Sequence, residues 1–200
     1  EFKVVIDGLE SKTNYHYCFE CIASHSSIKT ATKSFMTLAG RPTVITNEIF
    51  DIGTDAAKGG GIVTDDGGAM VTSRGICWSH NQNPTTDDPH TTDGDGTGEF
   101  ASEITKLSSN TKYYVRAYAA NEAGTAYGEE KCFTTEVGLP TVITSDVSEI
   151  MDSTARCGGI VTNDGGSEIT ARGVCWGTSK FPTLSGPHTN DGTGTGEFTS

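Results

Sequence analysis

The sequence predicts an all-β protein made of tandem β-sandwiches of about 98 residues. Three observations predict it. Strand-like runs of about 5–10 residues alternate with Gly, Asn, Asp and Pro clusters. No window of helical length carries an amphipathic 3.6-residue period. The chain also repeats itself at one fixed offset.

The repeat organises everything else. PTVIT begins at Pro42 and again at Pro140, an offset of 98. At that offset, without a gap, Gly60–Thr64 falls on Gly158–Thr162, and Gly96–Phe100 falls on Gly194–Phe198. Arg74-Gly75 and Cys77-Trp78 fall on Arg172-Gly173 and Cys175-Trp176. Of the 61 positions shared between 42–102 and 140–200, 33 are identical. Carried backwards, the offset sets Phe2 under Phe100, Leu9 under Leu107, Thr13 under Thr111, Tyr15 under Tyr113 and Phe35 under Phe133. The expected organisation is 1–41 as the C-terminal part of a repeat, 42–139 as a complete repeat and 140–200 as the N-terminal part of a further one.

Within the complete repeat, strands are expected at 43–49, 55–64, 70–79, 98–106, 111–120 and 126–135. The turn Asp65-Asp66-Gly67-Gly68 joins the second and third, and a longer crossing, 80–97, holds Pro84, Pro89 and a Gly-rich run. About 98 residues with six or seven strands is the size of one sandwich.

Composition narrows the function classes. A net charge of −12 and a pI near 4.7 disfavour a nucleic-acid groove or a polybasic membrane anchor. Hydrophobic content is only 34%, while 25 Gly and 30 Thr supply turns and strands. Charged residues make up 20% without a block of one sign, which does not fit disorder by self-repulsion. No run approaches the ~18 apolar residues of a spanning helix. The chain opens at Glu1 without an apolar leader, as expected of a mature, processed or internal segment. Six cysteines do not make a disulfide scaffold, and Cys18 and Cys21, three apart in a strand-like run, are expected to face opposite ways and not to form a redox motif.

Leu107, Thr111 and Tyr113, followed by Val115, Ala117, Ala119, Asn121 and Gly124, resemble the fibronectin type III pattern around its tyrosine corner. Leu9, Thr13, Tyr15, Tyr17 and Phe19 repeat it. In that corner the ring packs in the core while the hydroxyl reaches back to the preceding crossover. The wider wording, TDDGGAMVTSRGICW, DGTGTGEF and YYVRAYAANEAGTAYGEE, resembles tandem fibronectin-like repeats of large secreted surface proteins of Bacteroidota. The resemblance implies immunoglobulin-like or fibronectin type III-like sandwiches throughout. One departure stands: Gly60, Gly61 and Ile62 occupy the place of the usual second-strand tryptophan.

Candidate site residues follow from the strand periodicity. Around the third strand of the second copy, Ile169, Ala171, Gly173 and Cys175 share the uncharged face, and Arg172 and Trp176 share the other. Cys175 is therefore expected inside, as is Cys157 beside an outward Arg156, making Cys157–Cys175 a disulfide candidate or two buried thiols. Trp78 and Trp176, with Tyr114 and Tyr118, are surface aromatic candidates for a sugar platform; stacking on Arg74 or Arg116 is the alternative.

Asp93 and Asp95 are calcium candidates in an acidic loop. Against them, Thr193 replaces the second carboxylate in the other copy, and Asp-Gly turn chemistry explains the loop equally. His90 and His188 are expected as turn histidines. Asp152-Ser153-Thr154 resembles the short O-glycosylation signal of Bacteroidota, making Ser153 a glycosylation candidate.

No nucleophile elbow, zinc motif, phosphate loop or paired-acid constellation is present, so neither an enzyme nor a cofactor is expected. The expected role is a structural or adhesive segment of an extracellular stalk, filament or surface adhesin, secreted or at the cell surface. Its expected partners are neighbouring repeats of one longer chain, or copies of this chain joined head-to-tail by strand complementation as the alternative, with surface glycans or other cells beyond them. Nucleic acid and direct membrane insertion are not expected. A carbohydrate-binding or accessory module of a secreted polysaccharide-processing protein is the alternative.

Overall fold

The computed structural model describes residues 3–200; Glu1 and Phe2, with the match of Phe2 to Phe100, lie outside the described residues. The described chain is all-β. In order the strands are β1 (Asn14–Tyr17), β2 (Glu20–Ala23), β3 (Ser26–Lys29), β4 (Lys33–Met36), β5 (Thr43–Thr46), β6 (Ala56–Asp65), β7 (Ser73–Ser79), β8 (Gly98–Thr105), β9 (Lys112–Asn121), β10 (Gly124–Tyr127), β11 (Lys131–Thr134), β12 (Thr141–Thr144), β13 (Gly158–Asn163) and β14 (Gly196–Thr199).

Residues 42–139 contribute two sheets. One has the order β5-β6-β8; in the other β9 is central, pairing with β7 and with both β10 and β11. This is an immunoglobulin-like, fibronectin type III-like sandwich. Period-two alternation sets the inner faces: Val44 and Thr46 are buried on β5, and Phe100, Ser102 and Ile104 on β8, with their neighbours exposed. Gly60 and Gly61 explain why the second strand has no tryptophan. A Cβ on Gly60 would lie 2.1 Å from the Phe100 carbonyl oxygen, and one on Gly61 2.8 Å from Ala117 Cβ. The glycines let β8 and the facing sheet approach, leaving no volume for an indole.

The expected strand 126–135 is in fact two, β10 and β11. At the break Gly128 N–H donates to the Ala117 carbonyl at 2.9 Å, and its own carbonyl accepts from Arg116 Nε at 3.0 Å. A side chain there would strike Thr46, whose Oγ1 would be 2.5 Å from the new Cβ.

The chain divides into two compact units. One comprises residues 3–51, Lys58–Ile104 and Tyr113–Phe133. Its core holds Val44, Val63, Val71, Ile76, Cys77, Phe100, Ile104, Tyr113, Val115, Ala117, Ala119 and Phe133. The β1–β4 pair and the β2–β3 hairpin also lie here. Tyr15 accepts a hydrogen bond from the Glu10 amide through its hydroxyl (2.8 Å), the contact expected of a tyrosine corner, while its half-buried ring stacks on Phe35.

The other unit comprises Ile52–Ala57, Thr105–Lys112 and Thr134–Ser200. It contains the sheet β12-β13-β14 over a small core of Val161, Ile169 and Phe198, with Val174 packed against it. Val142 is 59% exposed where its counterpart Val44 is 7% exposed. Residues 140–200 match 42–102 and so carry no counterparts of β9–β11.

Candidate functional site

Of the sequence candidates, Trp78 lies on β7 and Asp93 and Asp95 on the crossing that follows it, while Tyr114 and Tyr118 lie on β9. The crossing 80–97 is not a free loop. Trp78 N–H donates to Pro89 O (3.0 Å), Thr91 N–H to Ile76 O (2.8 Å), Asp93 N–H to Arg74 O (2.7 Å) and Arg74 N–H to Gly94 O (3.0 Å). Residues 89–94 thus continue the sheet beyond β7. The second copy repeats the ladder: Trp176 donates to Pro187, Thr189 to Val174, Asp191 to Arg172 and Arg172 to Gly192.

Arg74 organises the Gly-rich run. Its Nη1 donates to the carbonyl oxygens of Gly96, Thr97 and Gly98 at 3.2, 2.9 and 3.4 Å, and its guanidinium lies 5.4 Å from the Phe100 ring centroid. Arg172 does the same to Gly194, Thr195 and Gly196 at 3.2, 2.9 and 3.4 Å, over Phe198. A cationic group therefore already occupies the carbonyl cradle of each loop. Of the calcium candidates, Asp93 accepts hydrogen bonds from the Thr91 hydroxyl (2.6 Å) and from Ser102 Oγ, while Asp95 is exposed. Among the described residues no group of three or more His, Cys, Asp or Glu is placed to hold a metal ion. In the second copy Asp191 has the same partners, Thr189 (2.6 Å) and Ser200. These two hydroxyl donors hold the Asp191 carboxyl below the usual carboxylate range.

The four aromatic candidates do not form one platform. Trp176 is 51% exposed and Trp78 is half-buried. Tyr114 is half-buried, but Tyr118 is only 3% exposed and corrects the expectation of a surface ring. The crossing covers it: Tyr118 Oη donates to Thr91 O at 2.6 Å, and His90 packs edge-on against its ring. Arg74 lies over the Phe100 ring and Arg116 over the Tyr127 ring.

Cys157 and Cys175 are both free thiols, so the disulfide candidate is not formed. They stand in different surroundings. The Cys157 amide and carbonyl pair with Ser200, whereas Cys175 Sγ donates to Pro182 O at 3.4 Å. Cys77, the counterpart of Cys175, is fully buried, and burial pushes its thiol up to about 11. Ser153 is exposed in the turn 151–154, where Met151 N–H donates to Thr154 O. His90 and His188, expected in turns, instead bridge the strand edge opposite Cys77 and Cys175, each with Nδ1 2.9 Å from a backbone carbonyl, of Asp88 and Gly186 respectively.

Sequence patterns did not reveal what Arg74, Thr91, Asp93 and Ser102 do together. The signal was present, because all four recur at the offset of 98 as Arg172, Thr189, Asp191 and Ser200. The arrangement is a polar clamp that ties a glycine-rich loop to a sheet edge.

No family model matches the chain, and no curated protein matches it. Solved structures do. Domains A168–A170 of titin align at 18% identity and a TM-score of 0.38, covering 64% of this chain and 43% of that one. Domains d3–d4 of the rat CD45 extracellular region align at 14% identity and 0.45, covering 68% and 70%. The FN1–FN3 domains of chicken CNTN1 align at 15% identity and 0.39, covering 64% and 45%. The chain thus spans less than half the length of the titin and CNTN1 fragments.

Proposed function

We propose that this chain is a structural and adhesive repeat segment of an extracellular stalk, filament or surface adhesin, exposed at the cell surface or secreted. The observation that carries the reading is what recurs. Between 42–102 and 140–200 the identities include the arginine clamp, its glycine-rich loop, the Asp-Gly-Gly turn and the edge ladder, all of which hold a fold. Cys77 and His90 recur as well, as Cys175 and His188, but the Cys77 thiol is buried and held neutral by its surroundings.

The resemblance to tandem repeats of large secreted surface proteins of Bacteroidota supports the same reading, as does an acidic, solvated surface. The domain plan of 1–41, 42–139 and 140–200 belongs to it. In such an array a ribbon like 1–41 completes a preceding repeat, and 140–200 is completed by a following ribbon, supplied by the same polypeptide or by a second copy through strand complementation. Neighbouring repeats or copies are then the first partners, and glycans or other cells the outer ones.

Imaging tests the stalk reading. Elongated particles that associate end to end at rising concentration are expected; compact monomers at every concentration overturn it.

A second reading, carbohydrate binding, is favoured by one observation, the 51% exposure of Trp176. Glycan-array binding abolished by Trp78→Ala and Trp176→Ala supports it, and no binding by the parent chain removes it.

A further inference from the structure

The turn after the second strand of a repeat is seated on the preceding repeat, and the chain shows this twice. Gly40 N–H donates to Gly67 O at 2.8 Å, and 98 residues on, Gly138 N–H donates to Gly165 O at 2.7 Å. Both turns are built alike. Asp65 and Asp66 Oδ1 accept from the amides of Gly67 and Gly68 (2.6 and 2.8 Å), and Asn163 and Asp164 do the same for Gly165 and Gly166 (2.6 and 2.8 Å).

The approach is close enough to exclude side chains. A Cβ on Gly67 would fall 2.3 Å from Gly40 O, and one on Gly165 2.4 Å from Gly138 O. A Cβ on Gly68 would meet Lys12 Cβ at 2.6 Å, and one on Gly166 would meet Asn110 Cβ at 2.6 Å. Further ties differ between the two. At the first, buried Asn121 donates through Nδ2 to Gly40 O and Asp66 O, both at 2.7 Å, and Lys12 pairs with Glu122. At the second, Asn110 Nδ2 donates to Gly166 O at 2.7 Å.

We propose that the Asp/Asn-Asp-Gly-Gly turn is an interaction surface whose partner is the preceding repeat of the same chain, namely its linker glycine and its corner loop (Ser11-Lys12 or Ser109-Asn110). The linker is then a docked joint and not a swivel. Recognition is by main chain: the backbone bond and the two glycines recur, while the surrounding side chains change from Lys12 to Asn110 and from Asp65 to Asn163. Any repeat bearing this turn therefore fits behind any other, which is what an array of divergent copies requires. This deepens the stalk reading and rests on it for its purpose, but a loosely jointed chain would still be a stalk. Failure here and failure of that reading are separate results.

Amide hydrogen exchange on the whole chain, followed residue by residue by NMR, tests the joint. Gly40 and Gly138 amides are expected to exchange at least tenfold more slowly than an unstructured peptide. Gly165→Ala is expected to return Gly138 to the unstructured rate while Gly40 keeps its protection, and Gly67→Ala is expected to do the converse.

Gly192→Ala supplies the control. It also places a side chain on left-handed backbone (φ +100°, against +71° at Gly165) but with nothing within 4 Å of the new Cβ, and is expected to leave Gly138 protected. Asn110→Gly keeps the local backbone (φ 48°) and removes only the amide donor, so a partial loss of Gly138 protection is expected. Unstructured rates at Gly40 and Gly138 in the parent chain overturn the proposal. So does retained Gly138 protection in Gly165→Ala, or an equal loss in Gly192→Ala.

Discussion

Arg74 donates through Nη1 to the carbonyl oxygen of Thr97 at 2.9 Å, and the contact is reproduced 98 residues later by Arg172 and Thr195 at the same distance. With Gly96 and Gly98 the same nitrogen faces three carbonyls. Arg74→Met keeps an aliphatic stem over Phe100 and removes every donor. Hydrogen bonds to a charged group typically contribute about 1.5–3 kcal/mol, so a loss of about that size is expected. The urea midpoint reads it, and a variant indistinguishable from the parent would show the clamp to be decorative. Arg74→Lys is expected to fall between the two, because an ammonium is a point donor without the planar fork.

Gly75 fixes how closely the crossing lies on β7. A Cβ there would sit 2.3 Å from Thr91 O and 2.9 Å from Tyr118 Cε1, and no positive φ is involved, so only space decides the outcome. Gly75→Ala is expected to cost about 1–3 kcal/mol through overpacking. It also strains the Tyr118-to-Thr91 hydrogen bond of 2.6 Å. Gly53→Ala, whose new Cβ meets nothing closer than 3.5 Å, is expected to stay within about 0.5 kcal/mol. Equal stabilities for the two variants would contradict this packing account.

The β class and the repeat were legible because both are written in local pattern. Val44 and Thr46, or Phe100, Ser102 and Ile104, alternate in sequence as they alternate in burial. Tyr118 was misplaced for a reason of the same kind. Alternation assigns a residue to a face of its sheet, and the outer face was taken to be wet. The crossing that covers that face is fixed by Thr91 O and by main-chain bonds to Arg74 and Ile76, none of which has a sequence signature. The break between β10 and β11 escaped likewise, since it depends on Thr46, distant in sequence, lying against Gly128. Arg74 has many partners in principle; its seat in a carbonyl cradle needed three dimensions.

The second clamp predicts acid sensitivity. Asp191 accepts from the hydroxyls of Ser200 and Thr189, which favour its charged form and lower its pKa from 3.8. A lowered carboxylate in the folded state means that the unfolded chain takes up the proton first as pH falls. The stabilisation is therefore complete above about pH 4 and is lost as pH drops through the folded value. Asp191→Asn is expected to flatten this dependence. Acid titrations of parent and variant from pH 6 to pH 2, followed by amide signals of β13 and β14, check it. Parallel curves would mean that Asp191 contributes nothing to the acid limb.

Cys77 predicts the alkaline limb and the thiol chemistry together. Its side chain is wholly buried, and loss of solvent around the thiolate raises its pKa from 9.0 to about 11. Cys18, Cys21 and Cys132 are exposed. With a thiol-specific reagent at pH 8, those three are expected to react at once and Cys77 at least ~100-fold more slowly, its rate set by opening of the fold. Because the folded state holds the thiol neutral, its contribution is complete below about pH 9. Between about 9 and about 11 the unfolded chain ionises first, and that contribution is lost. Cys77→Ala is expected to remove this part of the alkaline slope, at a packing cost of about 1 kcal/mol from the lost sulfur. Mass spectrometry of labelled peptides, with urea midpoints at pH 8 and pH 10.5, separates the two effects. Prompt labelling of Cys77 in the folded chain would show that the sandwich interior around β7 is open to solvent.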